Sequence, residues 1–394
     1  MHSFASGRRL AACAAFACTV AVAACSDNPN APGTITNPAA TIADLFAVDS
    51  AFDSDAFRAL EGLTGFIAQP TAPLPLARLA AALRVTLPPA PAASTRGALR
   101  RDLPRRDARL LGGLVGASSL PPVLPDSLLG TTFVWEPDSL HYVASSRSGA
   151  PLNGIRFVLY DTDTLTSLPD TAAEVGSLDI IDLAPAAGAQ LRFLVRGVTG
   201  SPIFLDYTLT YLAGAGAYTV GANGFLSNGA PGARERRFTF TAAITSTETA
   251  GGADGTVAFT YDLNVPDVSV ELNFATSEDT LQDSSVLAID YRFTRRNENI
   301  RFVGSDTTTA GGNTENGQFV VTVNGHRYAT LTITDNIAVV TDANGDVVPI
   351  DDNDQRHEDE IILFLFLGVL HATLILGNVL AIPALLLGFS IGLL

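Results

Sequence analysis

The sequence predicts a mainly β protein: a large curved antiparallel meander sheet or a partly closed barrel, preceded by amphipathic helices and followed by an apolar helical segment. Three observations predict this class. From Gly130 onward, apolar and polar residues alternate with a period of two, which is typical of strands with one buried face. Turn signals separate the alternating runs. No helical pattern lies between these runs, which argues against βαβ units.

The alternation is clearest in the run that begins at Arg237. Phe238 and Phe240 fall on one side of an extended chain there, and Thr239 and Thr241 fall on the other. One apolar and one wet face favour antiparallel over parallel strands, because parallel sheets are buried on both faces. The clearest strands are predicted at 203–212, 237–245, 257–265, 268–275, 286–294, 318–323 and 328–334.

The turn signals predict sequential hairpins. Asn324-Gly325 between two strand patterns is the strongest type I′ signal in the chain, and Asp254-Gly255 is a second candidate turn. We expect about 12 strands in mostly sequential order, a number at which a sheet must curl, split or close.

The first 24 residues predict a signal peptide. Arg8 and Arg9 precede an apolar run that is too short to span a membrane. The run ends Val22-Ala23-Ala24-Cys25, which resembles the bacterial lipobox. The resemblance implies cleavage before Cys25, diacylglycerol on its sulfur and acylation of the new amino terminus. The alternative is an ordinary signal peptide with a chance cysteine.

The residues after Cys25 bear on location. Residues 25–40 have no apolar period and predict a flexible tether. Ser26, where many diderm bacteria place an Asp to retain lipoproteins in the inner membrane, favours the outer membrane. Cys13 and Cys18 leave with the signal peptide, so the mature chain has no cysteine pair for a disulfide.

Charge restricts the partners. The net charge is −16, and every basic residue is Arg. Nucleic acid is therefore not an expected partner, because phosphate requires a basic face.

Residues 41–126 form a helical and Pro/Arg-rich region. Apolar residues from Ile42 to Ile67 recur at spacings of three and four, which predicts an amphipathic helix with Thr41 as a candidate cap. We favour docking of this helix on the β domain over a position at the membrane surface. The Arg-rich stretch 96–109 is compatible with anionic headgroups or with a solvated linker.

Residues 351–394 form an acidic cap and an apolar tail. The 34 residues from Ile361 to Leu394 carry no charged side chain. One continuous helix would be about 51 Å long, against about 30 Å of bilayer hydrocarbon. Gly377-Asn378 and Pro383 offer a break near the middle. The tail is thus a second membrane anchor or a cover for the apolar face of the sheet.

The search for chemistry gives one metal candidate. Asp342, Asn344 and Asp346 look like the start of a calcium loop, but Gly345 is fourth rather than sixth and Asn353 stands where a Glu is needed. A β-turn is the preferred interpretation. No catalytic motif is present, so we expect no enzyme and no cofactor.

Two aromatic residues flank a predicted turn. Trp135 and Tyr142 are expected to pack across two strands rather than to line a ligand groove.

The β domain, residues 127–350, also carries a resemblance. Thr132-Phe133-Val134-Trp135, Tyr142-Val143, Gly149-Ala150-Pro151 and Asn153-Gly154-Ile155-Arg156-Phe157 resemble the opening of a domain in uncharacterised bacterial lipoproteins. The likeness covers about residues 125–350 and implies no particular activity.

Three functions remain open. The first is a non-catalytic envelope lipoprotein that scaffolds an envelope protein or binds an apolar ligand such as a lipid, held to the membrane by the lipid on Cys25 and, in one of the two alternatives for the tail, by residues 361–394. The others are a pore-type β-barrel and an envelope hydrolase without a recognisable motif. A filled core would favour the scaffold, and an apolar cavity would favour the ligand carrier.

Overall fold

The computed structural model describes residues 32–47, 124, 126–162, 168–183, 188–198, 202–214, 216–249, 251–279, 281–309, 314–335 and 337–348. Cys25, most of the predicted helical and Pro/Arg-rich region, and residues 351–394 lie outside the described residues. The described chain contains the helix α1 (Pro38–Phe46) and fifteen strands. The strands are β1 (Thr132–Glu136), β2 (His141–Ser145), β3 (Gly154–Thr162), β4 (Pro169–Asp182), β5 (Ala189–Gly197), β6 (Ile203–Gly214), β7 (Ala217–Ser227), β8 (Arg237–Thr249), β9 (Gly252–Leu263), β10 (Val268–Asp279), β11 (Ser284–Arg295), β12 (Glu298–Thr309), β13 (Thr314–Val323), β14 (His326–Thr334) and β15 (Ile337–Asp342).

All fifteen strands belong to one sheet. From β3 to β15 each strand pairs antiparallel with the next along the chain. Strand β1 lies between β2 and β3, antiparallel to β2 and parallel to β3. The predicted large antiparallel meander is confirmed. Strands β2 and β15 are the edges, so the described strands form an open sheet rather than the partly closed alternative.

The sheet has about three strands more than predicted, and one of its strands is covered on both faces. In β3, the four consecutive residues Phe157, Val158, Leu159 and Tyr160 are all buried. Such a run has no period of two, so alternation cannot reveal its strand. The predicted strands were found, and most extend beyond their predicted ends; β9, for example, begins at Gly252 instead of 257.

The middle of the sheet has one buried and one wet face, called here the inner and the outer face. In β8, Phe238 and Phe240 are buried, whereas Thr239 and Thr241 are exposed. This alternation follows from the pleat of the strand.

Strand register aligns the inner face into rows of apolar side chains. One row runs across five strands, and its side chains are at most 2% exposed. Its members are Phe240, Tyr261, Val270, Phe293 and Ile300. Each such side chain contributes about 1.5–3 kcal/mol of transfer free energy when fully buried.

Two inward-facing glycines make room for aromatic rings. Gly224 of β7 is the register partner of both Tyr207 and Phe240, and these two rings meet across it edge to face at 5.7 Å between centroids. Gly304 of β12 lies opposite Phe319 in the same way. Glycine in a strand allows this close approach because it has no Cβ.

The two predicted turns have different outcomes. Asn324 and Gly325 both have positive φ, 52° and 85°, as a type I′ turn requires, so this prediction is confirmed. Asp254-Gly255 is not a turn, because both residues lie inside β9.

Helix α1 begins three residues before the predicted cap. The side chain of Asn37 accepts a hydrogen bond from the Ala40 amide, and Pro38 occupies the first turn, where no amide donor is needed. Within the described residues, no helix has the length and apolar character needed to cross a membrane.

Candidate functional site

Residues 32–47 dock on one end of the sheet, called here the docked end. It is the end that holds the turns from β5 to β6, β7 to β8, β9 to β10, β11 to β12 and β13 to β14. The Gly33 amide donates a hydrogen bond of 3.0 Å to the carbonyl of Arg327, just after the turn into β14. The tether predicted at 25–40 therefore overlaps a segment that is bonded to the sheet.

A buried carboxylate holds this segment. Glu298, the first residue of β12, is 9% exposed. Its Oε1 accepts a hydrogen bond from the Thr36 amide, and its Oε2 accepts one from the Thr41 hydroxyl, both at 3.0 Å. Because charge-assisted hydrogen bonds are stronger than neutral ones, Glu298 fixes α1 at the docked end.

An ion pair adds to this contact. Arg295, the last residue of β11, pairs with Asp44 of α1, and its Nη1 lies 3.4 Å from the Thr41 hydroxyl. Both charged side chains are largely shielded from water, at 12% and 19% exposure. The N-terminal segment therefore has a fixed position relative to the turn from β11 to β12.

The candidate calcium loop has the geometry of a turn. Asp342 Oδ1 accepts hydrogen bonds from the amides of Asn344 and Asp346, at 2.8 and 2.9 Å. These bonds, led by the one from Asp346, lower the pKa of Asp342. In the part of the chain that the structure describes, no group of three or more His, Cys, Asp or Glu side chains is placed to hold a metal ion.

Trp135 and Tyr142 pack across β1 and β2. They are register partners with ring centroids 5.6 Å apart, and both are nearly fully buried. The Tyr142 hydroxyl donates to the carbonyl of Val158, and burial raises the pKa of Tyr142. The pair has the geometry expected for cross-strand packing.

Ion pairs cross neighbouring strands on the outer face. In three of them, Nε and Nη2 of an arginine each donate to one oxygen of the same aspartate, at 2.6–2.8 Å. Such bidentate pairs are directional and so favour one strand register. The pairs are Arg156–Asp179, Arg192–Asp206 and Arg301–Asp290.

A second buried carboxyl group, besides Glu298, lies on the even-numbered side of β12 that forms the inner face. Asp306 of β12 is 3% exposed, and its Oδ1 has no hydrogen-bond partner within the described structure. Burial, with a smaller contribution from the charge of Glu315, raises the pKa of Asp306 to about 6. Its register partner on β13 is Gly317, which leaves space for the carboxyl group.

Sequence reasoning missed both Glu298 and Asp306. For Asp306 a signal existed: Ile300, Phe302 and Gly304 set an even-numbered apolar series, and Asp306 continues it. Glu298 also falls on this even-numbered series, two residues before Ile300, but its partners lie more than 250 residues away, so the sequence does not reveal its hydrogen bonds.

No family model, no curated protein and no solved structure matches this chain. Its class is therefore defined by its own geometry: an open, single-sheet β meander with an N-terminal segment docked at one end.

Proposed function

We propose that this chain is a non-catalytic lipoprotein of the cell envelope, anchored through Cys25 to the outer membrane of a diderm bacterium, and that its sheet serves as a scaffold for another envelope component. The lipobox-like Val22-Ala23-Ala24-Cys25 supports the anchor, and Ser26 supports the outer membrane. Several buried acyl chains hold a protein on a membrane almost permanently, at about 0.8 kcal/mol per methylene.

The packing of the inner face is the observation that favours a scaffold over a ligand carrier. Its aromatic and aliphatic side chains are buried against other protein atoms, as in the row from Phe240 to Ile300. A carrier of apolar molecules needs an apolar-lined space for its cargo. A filled inner face leaves no such space, and it therefore favours a scaffold with a rigid outer surface over a carrier of apolar molecules.

The outer face supports the same choice. It presents hydroxyl, amide and paired charged side chains across many strands, which is a surface suited to polar contacts with a partner. The bidentate pairs, such as Arg301–Asp290, add directional bonds that hold adjacent strands in register. A rigid, polar surface is what a scaffold needs.

Native mass spectrometry of the protein extracted from membranes tests this proposal. We expect a mass that includes the lipid on Cys25 and a stoichiometric protein partner. A co-purifying lipid in place of a protein partner would identify a carrier instead. The Cys25→Ser variant is the control, and it should lose the added lipid mass.

A further inference from the structure

The two ends of the sheet differ in charge. Five of the turns opposite the docked end, with the strand residues beside them, form what we call the acidic end: residues 209–222, 243–258, 274–289, 303–319 and 331–339. These five ranges contain eight carboxylates and no Arg, Lys or His, whereas the turn from β4 to β5 at the same end lies beside Asp182 and Arg192. The carboxylates are Glu248, Asp254, Glu278, Asp279, Asp283, Asp306, Glu315 and Asp335.

The docked end has a mixed charge instead. The turn from β7 to β8 contributes Arg234, Arg236 and Arg237, and the turn from β11 to β12 contributes Arg296. Carboxylates such as Glu235 and Asp267 lie among these arginines. Anionic headgroups would therefore repel the acidic end and not the docked end. Each basic residue of the docked end that lies near such headgroups contributes about 1 kcal/mol of attraction.

The anchor also lies near the docked end. Cys25 is eight positions before Gly33, which is bonded to Arg327 at this end. A chain of that length reaches at most about 28 Å. The central strands β9, β10 and β11 have 12 residues each, so the two ends of the sheet lie about 40 Å apart.

We infer that the sheet stands on the membrane with its docked end toward the phospholipid headgroups and its acidic end toward the aqueous compartment. This inference rests on the proposed lipid anchor. The short connection keeps the docked end close to the lipid on Cys25. Repulsion between the exposed carboxylates of the acidic end, such as Glu248 and Asp254, and anionic headgroups keeps the sheet from lying flat.

Two turn residues allow a matched test. Asn297, between β11 and β12, and Gln282, between β10 and β11, are both exposed, uncharged and located at opposite ends. The processed chain contains no cysteine besides Cys25, so Asn297→Cys and Gln282→Cys each introduce a single free thiol for a fluorescent label.

The labelled full-length lipoproteins are reconstituted into phosphatidylethanolamine–phosphatidylglycerol vesicles that contain a headgroup-attached quencher. We expect several-fold stronger quenching at position 297 than at position 282. Equal quenching, or stronger quenching at 282, would overturn the inferred orientation. Failure of the protein to float with the vesicles would instead reject the lipid anchor, so the two failures are distinguishable.

A change of lipid tests the role of charge. In vesicles of zwitterionic phosphatidylcholine alone, the repulsion of the acidic end is removed. We expect quenching at position 282 to increase there relative to anionic vesicles. Identical quenching at 282 in the two lipids would contradict the role assigned to the acidic end.

Discussion

The Thr41 hydroxyl of α1 donates a hydrogen bond to the buried Glu298 carboxylate across 257 positions of sequence. This contact joins the segment nearest the proposed lipid anchor to the start of a strand near the far end of the chain. Local sequence pattern does not reveal its partners, and it fixes residues 32–47 at the docked end of the sheet.

Removing the Glu298 carboxylate should release the N-terminal segment. In Glu298→Ala, the Thr36 amide and the Thr41 hydroxyl lose their acceptor, which costs about 1–3 kcal/mol. We expect faster amide hydrogen exchange in residues 32–47, measured by mass spectrometry, with little change in β8 and β9. Glu298→Gln keeps one acceptor oxygen and should have an intermediate effect.

The matched control is Glu248→Gln, since Glu248 is exposed at the opposite end. It should leave exchange in residues 32–47 unchanged. Unchanged exchange in Glu298→Ala would mean that Glu298 does not hold the segment.

Asp306 should make stability depend on pH. Because the folded-state pKa is raised from 3.8 to about 6, the folded protein binds this proton more tightly than the unfolded chain. As pH rises from about 4 to about 6, the unfolded chain loses this proton more readily than the folded protein does, so the stability of the fold decreases. Above about pH 6 the total decrease is about 2–3 kcal/mol. We expect Asp306→Asn to stabilise the protein at pH 7.5 and to have little effect at pH 3.5.

Urea unfolding at the two pH values measures this difference. Asp254→Asn, an exposed aspartate of the same acidic end, is the control and should show no comparable gain. An equal gain in both variants would assign the effect to net charge rather than to burial of Asp306.

Gly224→Ala should be strongly destabilising. A Cβ at this position would lie 2.3 Å from the Asp206 carbonyl oxygen and 2.3 Å from the Tyr207 Cβ. The backbone must then shift, at a cost of about 1–3 kcal/mol or more. A decrease in the urea midpoint would measure it.

Gly251→Ala provides the comparison, because a Cβ there would meet nothing within 4 Å. Its urea midpoint should remain within error of the parent protein. A Gly224→Ala midpoint as high as that of Gly251→Ala would show that the Tyr207–Phe240 contact does not need this glycine.

Arg301→Gln should raise the pKa of Asp290. The hydrogen bonds and charge of Arg301 hold the pKa of this carboxyl below its ordinary value. The pair therefore stabilises the fold above the unfolded-state pKa, and this contribution disappears as pH falls through the lower folded-state value. Because the two side chains are 39% and 34% exposed, the effect on stability should be below about 1 kcal/mol.

A carboxyl-carbon NMR titration of Asp290 tests this prediction. Arg327→Gln, which removes an arginine that bonds instead to the carbonyl of Ala343, should leave the titration unchanged. An unaltered Asp290 titration in Arg301→Gln would contradict the assigned cause.

The sequence predicts the central strands because their two faces meet different solvents. Phe259 and Tyr261 alternate with Thr260 and Asp262, and water on one face is what makes this pattern visible. Strand β3 lacks the pattern, because Val158 and Tyr160 are buried on the face that is wet elsewhere. The parallel placement of β1 beside β3 depends on a contact between strands and has no period of its own.

The functional residues were predictable to different degrees. The turn at Asp342 and the Trp135–Tyr142 contact depend on neighbours in sequence, and local pattern indicates both. The role of Glu298 depends on residues at the opposite end of the chain. A carboxylate that accepts hydrogen bonds in a buried contact has the same sequence signature as one that faces water.

The long separation between Thr41 and Glu298 also sets an order of events. During synthesis the N-terminal residues emerge first, and the partner of Thr41 follows 257 residues later. Neighbouring hairpins of the meander can form as they appear, since their contacts are local. Residues 32–47 therefore reach their final position only after β12 exists. The proposed modification of Cys25 can then take place before the sheet restrains the segment that follows it.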